Sequence, residues 1–156
     1  MPSTFSFEAK EQYKTFAGRQ KAVHYSIWYV YAAMLAVGLG LLIFLPVFIW
    51  INFLGFLILG GCAIFIYVDR RVRNYIIKLT YENGIINIDY ALYNSILHFS
   101  GKPQDFSIER KLNDPYWQRY YILYIKSLKD NWTIEQIATL EWNRKLMEKF
   151  IKAING

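Results

Sequence analysis

Residues 25–68 read YSIWYVYAAMLAVGLGLLIFLPVFIWINFLGFLILGGCAIFIYV, a run without a single Asp, Glu, Lys, Arg or His. An α-helix rises about 1.5 Å per residue and crosses the apolar slab of a bilayer in about 20 residues, so the run is long enough for two crossings. Leu45-Pro46-Val47 is the natural turn. Proline is tolerated in a first helical turn, whereas in mid-span it frees a carbonyl that lipid has no means to satisfy. The pattern predicts a two-helix transmembrane hairpin with spans at about 24–45 and 47–68.

Charge flanks the run unevenly. Lys10, Lys14, Arg19 and Lys21 precede it, Arg70, Arg71, Arg73 and Lys78 follow it, and the turn carries none. Lys and Arg near span ends are retained on the cytoplasmic side, so the expectation is a multi-pass protein of the cytoplasmic membrane with both termini cytoplasmic. The run lies too far from the N-terminus and is too long for a signal peptide, and no small-residue cleavage site follows it. Ala32, Ala36 and Gly40 recur every four residues in the first span, and Gly60 lies in the second, which predicts close helix packing through small side chains. No Asp, Glu, Lys, Arg or His lies deep in either span, which argues against an ion pathway through one chain.

After the run the composition changes. Residues 69–156 carry 14 Lys and Arg against 10 Asp and Glu, with short apolar runs between turn signals. Tyr75–Tyr81 and Ile85–Tyr90 read as a strand pair around Glu82-Asn83-Gly84, because Asn-Gly adopts the positive φ angles of a tight hairpin. In the second strand Ile86, Ile88 and Tyr90 share one face, and Ile85, Asn87 and Asp89 the other, the alternation of a sheet with one dry side. Further strands fit 96–99, 105–111, 116–127 and 132–138. Trp142, Leu146, Phe150 and Ile154 then recur by four, an amphipathic helix with Thr139 as the expected cap. At the other end Thr4–Phe7 reads as a strand and Glu8–His24 as a helix leading into the first span. The expected division is therefore 1–24 as an N-terminal strand and juxtamembrane helix, 25–68 as the hairpin, and 69–156 as an antiparallel sheet domain capped by a C-terminal helix.

Three patterns carry this layout together: Phe5-Ser6-Phe7-Glu8-Ala9-Lys10-Glu11-Gln12-Tyr13, the basic junction Arg70-Arg71-Val72-Arg73-Asn74-Tyr75, and Lys78-Leu79-Thr80-Tyr81-Glu82-Asn83-Gly84-Ile85. The chain resembles the YcxB-like bacterial membrane proteins, whose cytoplasmic part is similar to a pleckstrin-homology domain. The resemblance implies an α+β membrane protein with a curled antiparallel sheet closed by a C-terminal helix, and it lends no chemistry.

Few residues suggest a reaction. Cys62 is the one cysteine and lies inside the apolar run, where a thiolate is disfavoured. A hairpin turning near Leu92-Tyr93 would bring His98 close to Asn87 and Asp89, an imidazole with an orienting carboxylate and no evident nucleophile. No phosphate-cradling loop, metal spacing or cofactor motif is present, and interspersed acidic residues argue against nucleic acid. Arg19, Lys21, Arg70, Arg71, Arg73 and Lys78 are candidates for contact with anionic lipid. Tyr116, Trp117, Arg119 and Tyr121 are candidates for a protein interface, because aromatic residues and Arg are favoured at interface centres. The leading expectation is a non-enzymatic membrane-anchored interaction or assembly module, binding a protein partner or copies of itself. The alternatives are a small membrane hydrolase using His98 and a homo-oligomeric pore.

Overall fold

The computed structural model describes residues 4–41, 47–113 and 120–155. β1 (Phe5–Glu8) leads into a single helical turn, α1 (Glu11–Lys14), and two long helices, α2 (Phe16–Leu41) and α3 (Val47–Val72). The rest is β2 (Asn74–Glu82), β3 (Ile85–Leu92), β4 (Ser95–Gly101), β5 (Phe106–Asn113), β6 (Tyr120–Ser127), β7 (Thr133–Ile137) and the C-terminal helix α4 (Arg144–Asn155). The strands form two antiparallel sheets in the orders β1-β2-β3-β4 and β5-β6-β7. The first expected hairpin turn is present, with Asn83 at φ 53° and Gly84 at φ 74°.

The apolar alternation sets the core. Ile86, Ile88 and Tyr90 of β3 turn inward to meet Leu79 and Ile76 of β2, Leu123 and Ile125 of β6, and Phe150 of α4, all buried. β1 pairs with β2 through Phe5↔Tyr81 and Phe7↔Leu79, so the N-terminal strand covers an edge as its position suggested. Phe5 packs on Phe150 at 5.1 Å between ring centroids, and Phe7 on Trp142 at 4.6 Å. α4 is capped by Asn143, whose Oδ1 accepts the Leu146 N–H at 3.0 Å. The expected cap, Thr139, instead uses its carbonyl to accept the Trp142 N–H at 3.0 Å.

The seam between the sheets is made by side chains. β2 shifts register between Ile76 and Lys78, so that Ile77 has no partner in β3 while Ile76 stays opposite Tyr90, and β1 pairs no further along β2 than Lys78. The fully buried Gln136 of β7 accepts the Ile76 N–H at 2.6 Å and donates to the Ile137 carbonyl at 2.7 Å. The indole of Trp142 donates to the Ile76 carbonyl at 3.0 Å, and Ala9 N–H to the Ile77 carbonyl at 2.7 Å. Each of these backbone groups thereby keeps a partner, as burial demands.

The helices require a correction. α2 and α3 are each 26 residues long and run antiparallel side by side, yet among the described residues only Phe53–Val72 is both long and apolar enough to cross a membrane. The physical difference is composition. The first turns of α2 hold Arg19, Gln20, Lys21 and His24, and Tyr, Ala and Gly make up much of its remaining length, whereas Ile, Leu and Phe dominate α3. The expected multi-pass placement with two crossings is replaced by one candidate crossing. The expected turn at Leu45-Pro46 lies outside the described residues.

Candidate functional site

The helices and the strand domain meet at Arg19, which is fully buried. Its Nε donates to the Val72 carbonyl at 2.8 Å. One Nη donates to the carbonyls of Tyr13 at 2.9 Å and Lys14 at 3.1 Å, and the other to the carbonyl of Tyr93 at 2.6 Å. The guanidinium also lies 5.5 Å from the centre of the Tyr75 ring. Tyr13 and Lys14 end α1 and Val72 ends α3, so three of these acceptors are carbonyls that their own helices leave unpaired. A cation there also meets the negative ends of two helices, although the single turn of α1 has little dipole. Burial draws the Arg19 pKa down and the Tyr75 phenol acts in the opposite sense. The guanidinium nonetheless keeps its proton at any physiological pH.

The local sequence builds this knot in two steps. Thr15 is extended (φ −96°, ψ 148°) and its Oγ1 accepts the Gly18 N–H at 3.2 Å, which splits the helix expected over Glu8–His24 into α1 and α2. At Gly18 a Cβ would stand 1.7 Å from the Gln12 carbonyl oxygen, so a side chain there would prevent α1 from folding back onto α2. Tyr93 completes the arrangement from the β3–β4 turn. It sits at φ 54°, unusual for a bulky residue, and both its backbone groups are fixed. Its N–H donates to the Arg73 carbonyl at 2.7 Å, its carbonyl is the Arg19 acceptor, and its ring lies 5.1 Å from that of Phe16.

Of the residues expected to touch lipid, Arg19 is therefore an internal strut. Lys21 and Arg70 are exposed. Arg71 lies over the rings of Tyr67 at 4.6 Å and Tyr120 at 5.1 Å, and Arg73 is half-buried. Lys78 is exposed but stands away from the junction, opposite Glu8 and Asp89 in the sheet.

Of the residues expected at a protein interface, Tyr116, Trp117 and Arg119 lie outside the described residues. Tyr121 is half-buried between Arg110 at 4.9 Å and Arg144 at 5.3 Å. Both arginines pair with Glu148, Arg144 at 2.8 Å, which ties α4 to the second sheet. The two arginines hold the Glu148 carboxyl down at about 2.

The small-residue ridge is not the packing surface expected of it. Ala32 and Ala36 are exposed, and nothing lies within 4 Å of where a Gly60 Cβ would be. Gly40 lies near the end of α2, with its environment outside the described side chains. The helices meet instead through Tyr31, whose hydroxyl donates to the Leu57 carbonyl at 2.6 Å and lies 3.1 Å from the Cβ position of Gly61. Beside this contact an apolar groove of about 270 Å³ is lined by His24, Ile27, Ile64 and Phe65.

His98 and Asp89 are directly opposed in the sheet, with His98 Nδ1 2.8 Å from Asp89 Oδ1. The imidazole is exposed, and Ser100, two residues along the same face, donates its hydroxyl to Asn87 Oδ1 at 2.8 Å. A cavity of about 230 Å³ next to His98 contains Asp105 and Lys129, which pair with each other at 2.8 Å. Among the described residues no group of three or more His, Cys, Asp or Glu side chains is placed to hold a metal ion.

Sequence reasoning had singled out Arg19 for its charge and missed its role, and it missed Gly18 and Gln136 altogether. No spacing pattern announces them, because their partners are backbone carbonyls and amides brought together only by the fold. No protein-family model, curated protein or solved structure matches the chain.

Proposed function

We propose that this chain is a non-enzymatic interaction module anchored to a lipid membrane by α3, with a strand domain of pleckstrin-homology-like build. The observation that carries the reading is the state of α3. Leu54, Phe56, Ile58, Leu59, Phe65 and Ile66 are exposed, Leu59 at 72%, which is not how a helix in the core of a soluble domain behaves. The same helix passes through one residue, Arg73, into β2, and Arg19 fixes that exit. A domain so attached is held at the membrane surface at a set angle.

The resemblance to the YcxB-like proteins implies a curled antiparallel sheet closed by a C-terminal helix, and two antiparallel sheets of four and three strands with α4 after them are compatible with that reading. The exposed Lys21 and Arg70 favour an anionic lipid face, where each cation near the surface contributes about 1 kcal/mol. The His98–Asp89 contact is what a hydrolase reading would rest on, but its imidazole is open to water and the Ser100 hydroxyl is directed to Asn87. The pore reading was built on two-helix hairpins, and one candidate crossing among the described residues gives it no support.

The intact chain should stay with membranes through alkaline carbonate extraction, and mild crosslinking in those membranes should capture a second protein or a second copy. Recovery as a stable, detergent-free, water-soluble monomer would overturn the anchor. Capture of lipid and monomer alone would overturn the interaction role.

A further inference from the structure

We infer that the tip of the β3–β4 hairpin is a second membrane contact, a shallow apolar foot that enters the interfacial layer beside the end of α3. The inference rests on the membrane reading of α3 and adds to it a site in the strand domain. At this tip Leu92, Tyr93, Ile96 and Leu97 are all exposed, between 41% for Leu92 and 50% for Ile96. Successive strand residues point to opposite faces, so Ile96 and Leu97 leave apolar side chains on both sides of β4. Elsewhere in this sheet apolar residues are mostly buried on the inner face, and the outer face carries polar pairs such as Asp89–His98 and Asn87–Ser100. A sheet end that is apolar on both faces suits a medium that is itself apolar on both sides.

Position identifies that medium as lipid. The Tyr93 N–H is bonded to the carbonyl of Arg73, the first residue after α3, and the Tyr93 carbonyl shares the Arg19 guanidinium with the last carbonyl of α3. The tip is therefore level with the end of the candidate crossing, and the exposed Arg70 and half-buried Arg73 are at the same level. Exposed apolar side chains with cations beside them match the boundary between acyl chains and anionic headgroups. The tip is also rigid by construction, since Tyr93 is held at a positive φ by bonds at both its N–H and its carbonyl.

The single cysteine supplies an internal reference for the test. Cys62 is exposed on α3, so in the unaltered chain it reports on the anchor alone. In a Cys62→Ser background, Ile96→Cys and Leu92→Cys report on the tip, and Gln104→Cys reports from just beyond the opposite end of β4, where Gln104 is exposed. Each is labelled with an environment-sensitive fluorophore and reconstituted in phosphatidylcholine vesicles containing phosphatidylglycerol, with nitroxide-bearing lipids as quenchers. The expected result is quenching of Cys62 by deep nitroxides, of positions 92 and 96 by shallow ones with a blue-shifted emission, and of position 104 by neither. Quenching at Cys62 with positions 92 and 96 behaving like position 104 would overturn the foot and leave the anchor standing. No quenching at Cys62 would overturn both. Equal quenching at 92, 96 and 104 would also overturn the foot, because the contact would belong to the whole domain.

Discussion

Arg19 and Gln136 are both fully buried polar side chains, and both satisfy backbone groups that regular secondary structure has left unpaired. Gln136 is neutral and works inside the strand domain, taking one amide and one carbonyl at the seam between the sheets. Arg19 carries a full charge and works between regions, collecting four carbonyls from α1, α3 and the β3–β4 turn. A glutamine suffices where two strands are already adjacent and one peptide must be bridged. A guanidinium is needed where several chain ends converge, because only its planar fork of five donors reaches that many acceptors at once. The cost of that choice is desolvation of a cation. It is offset here by carbonyl dipoles rather than by a carboxylate, since no acidic side chain among the described residues pairs with Arg19.

The comparison predicts the largest effect at the charged joint. Arg19→Ala leaves the buried carbonyl of Val72 and the part-buried carbonyls of Tyr13, Lys14 and Tyr93 without their donor, and a stranded buried acceptor costs about 1–3 kcal/mol, so a total loss of ~3 kcal/mol is expected. Arg19→Lys should fall between, because it preserves the charge but offers three donors from one point. Urea unfolding in detergent micelles measures the first effect, and hydrogen exchange at the Tyr93 amide locates it. An Arg19→Ala protein as stable as the parent, with unchanged exchange at Tyr93, would show that the knot is incidental to the fold.

The neutral joint should be weaker. Gln136→Leu keeps the volume but removes the acceptor for the Ile76 amide and the donor to the Ile137 carbonyl, for an expected loss of about 1–2 kcal/mol. The Ile76 amide should exchange faster, whereas the Tyr93 amide should not change relative to the global stability. If both substitutions loosened both amides equally, the two joints would be one cooperative unit, and the distinction between them would be lost.

The elements joined were legible in the sequence, and the joints were not. Ile86, Ile88 and Tyr90 declared their face by alternation, Asn83-Gly84 declared its turn by backbone preference, and Trp142 and Phe150, both buried, fell on a face written in steps of four. Each of these signals is local. The Arg19 acceptors come from residues 13, 14, 72 and 93, and all are main chain, so no residue type at those positions betrays them. In the apolar run the error was of another kind. Absence of charge treats Tyr29, Tyr31, Ala32, Ala33 and Ala36 of α2 as equal to Leu54, Phe56, Ile58, Leu59 and Ile66 of α3, although transfer to lipid favours the second group much more strongly. The aromatic interface expectation met a third limit. Tyr121 has suitable chemistry for a partner, but it lies between two arginines of its own chain, one of them from a helix distant in sequence.

That aromatic stack belongs to a third joint, on the outside of the molecule, and it should give the smallest effect of the three. Glu148 of α4 pairs with Arg144 one turn away and with Arg110 of β5, and the two hold its carboxyl at about 2 against an ordinary value near 4.5. The folded state thus prefers the ionised form, and the unfolded chain binds the proton more readily. Stability from this group is fully present above the ordinary carboxylate value, and it is lost as pH falls from there through about 2. Unfolding midpoints of the parent and Glu148→Gln, measured from neutral pH downward, should differ most above pH 5 and converge towards pH 2, with the substitution the less stable. Added salt should narrow the gap, since the group is partly open to solvent and screened. The buried Arg19 joint should be far less sensitive to salt, because its charge is held by carbonyls inside the protein. A salt response of equal size at positions 19 and 148 would mean that the knot at Arg19 is reached by solvent, and the contrast between inner and outer joints would collapse.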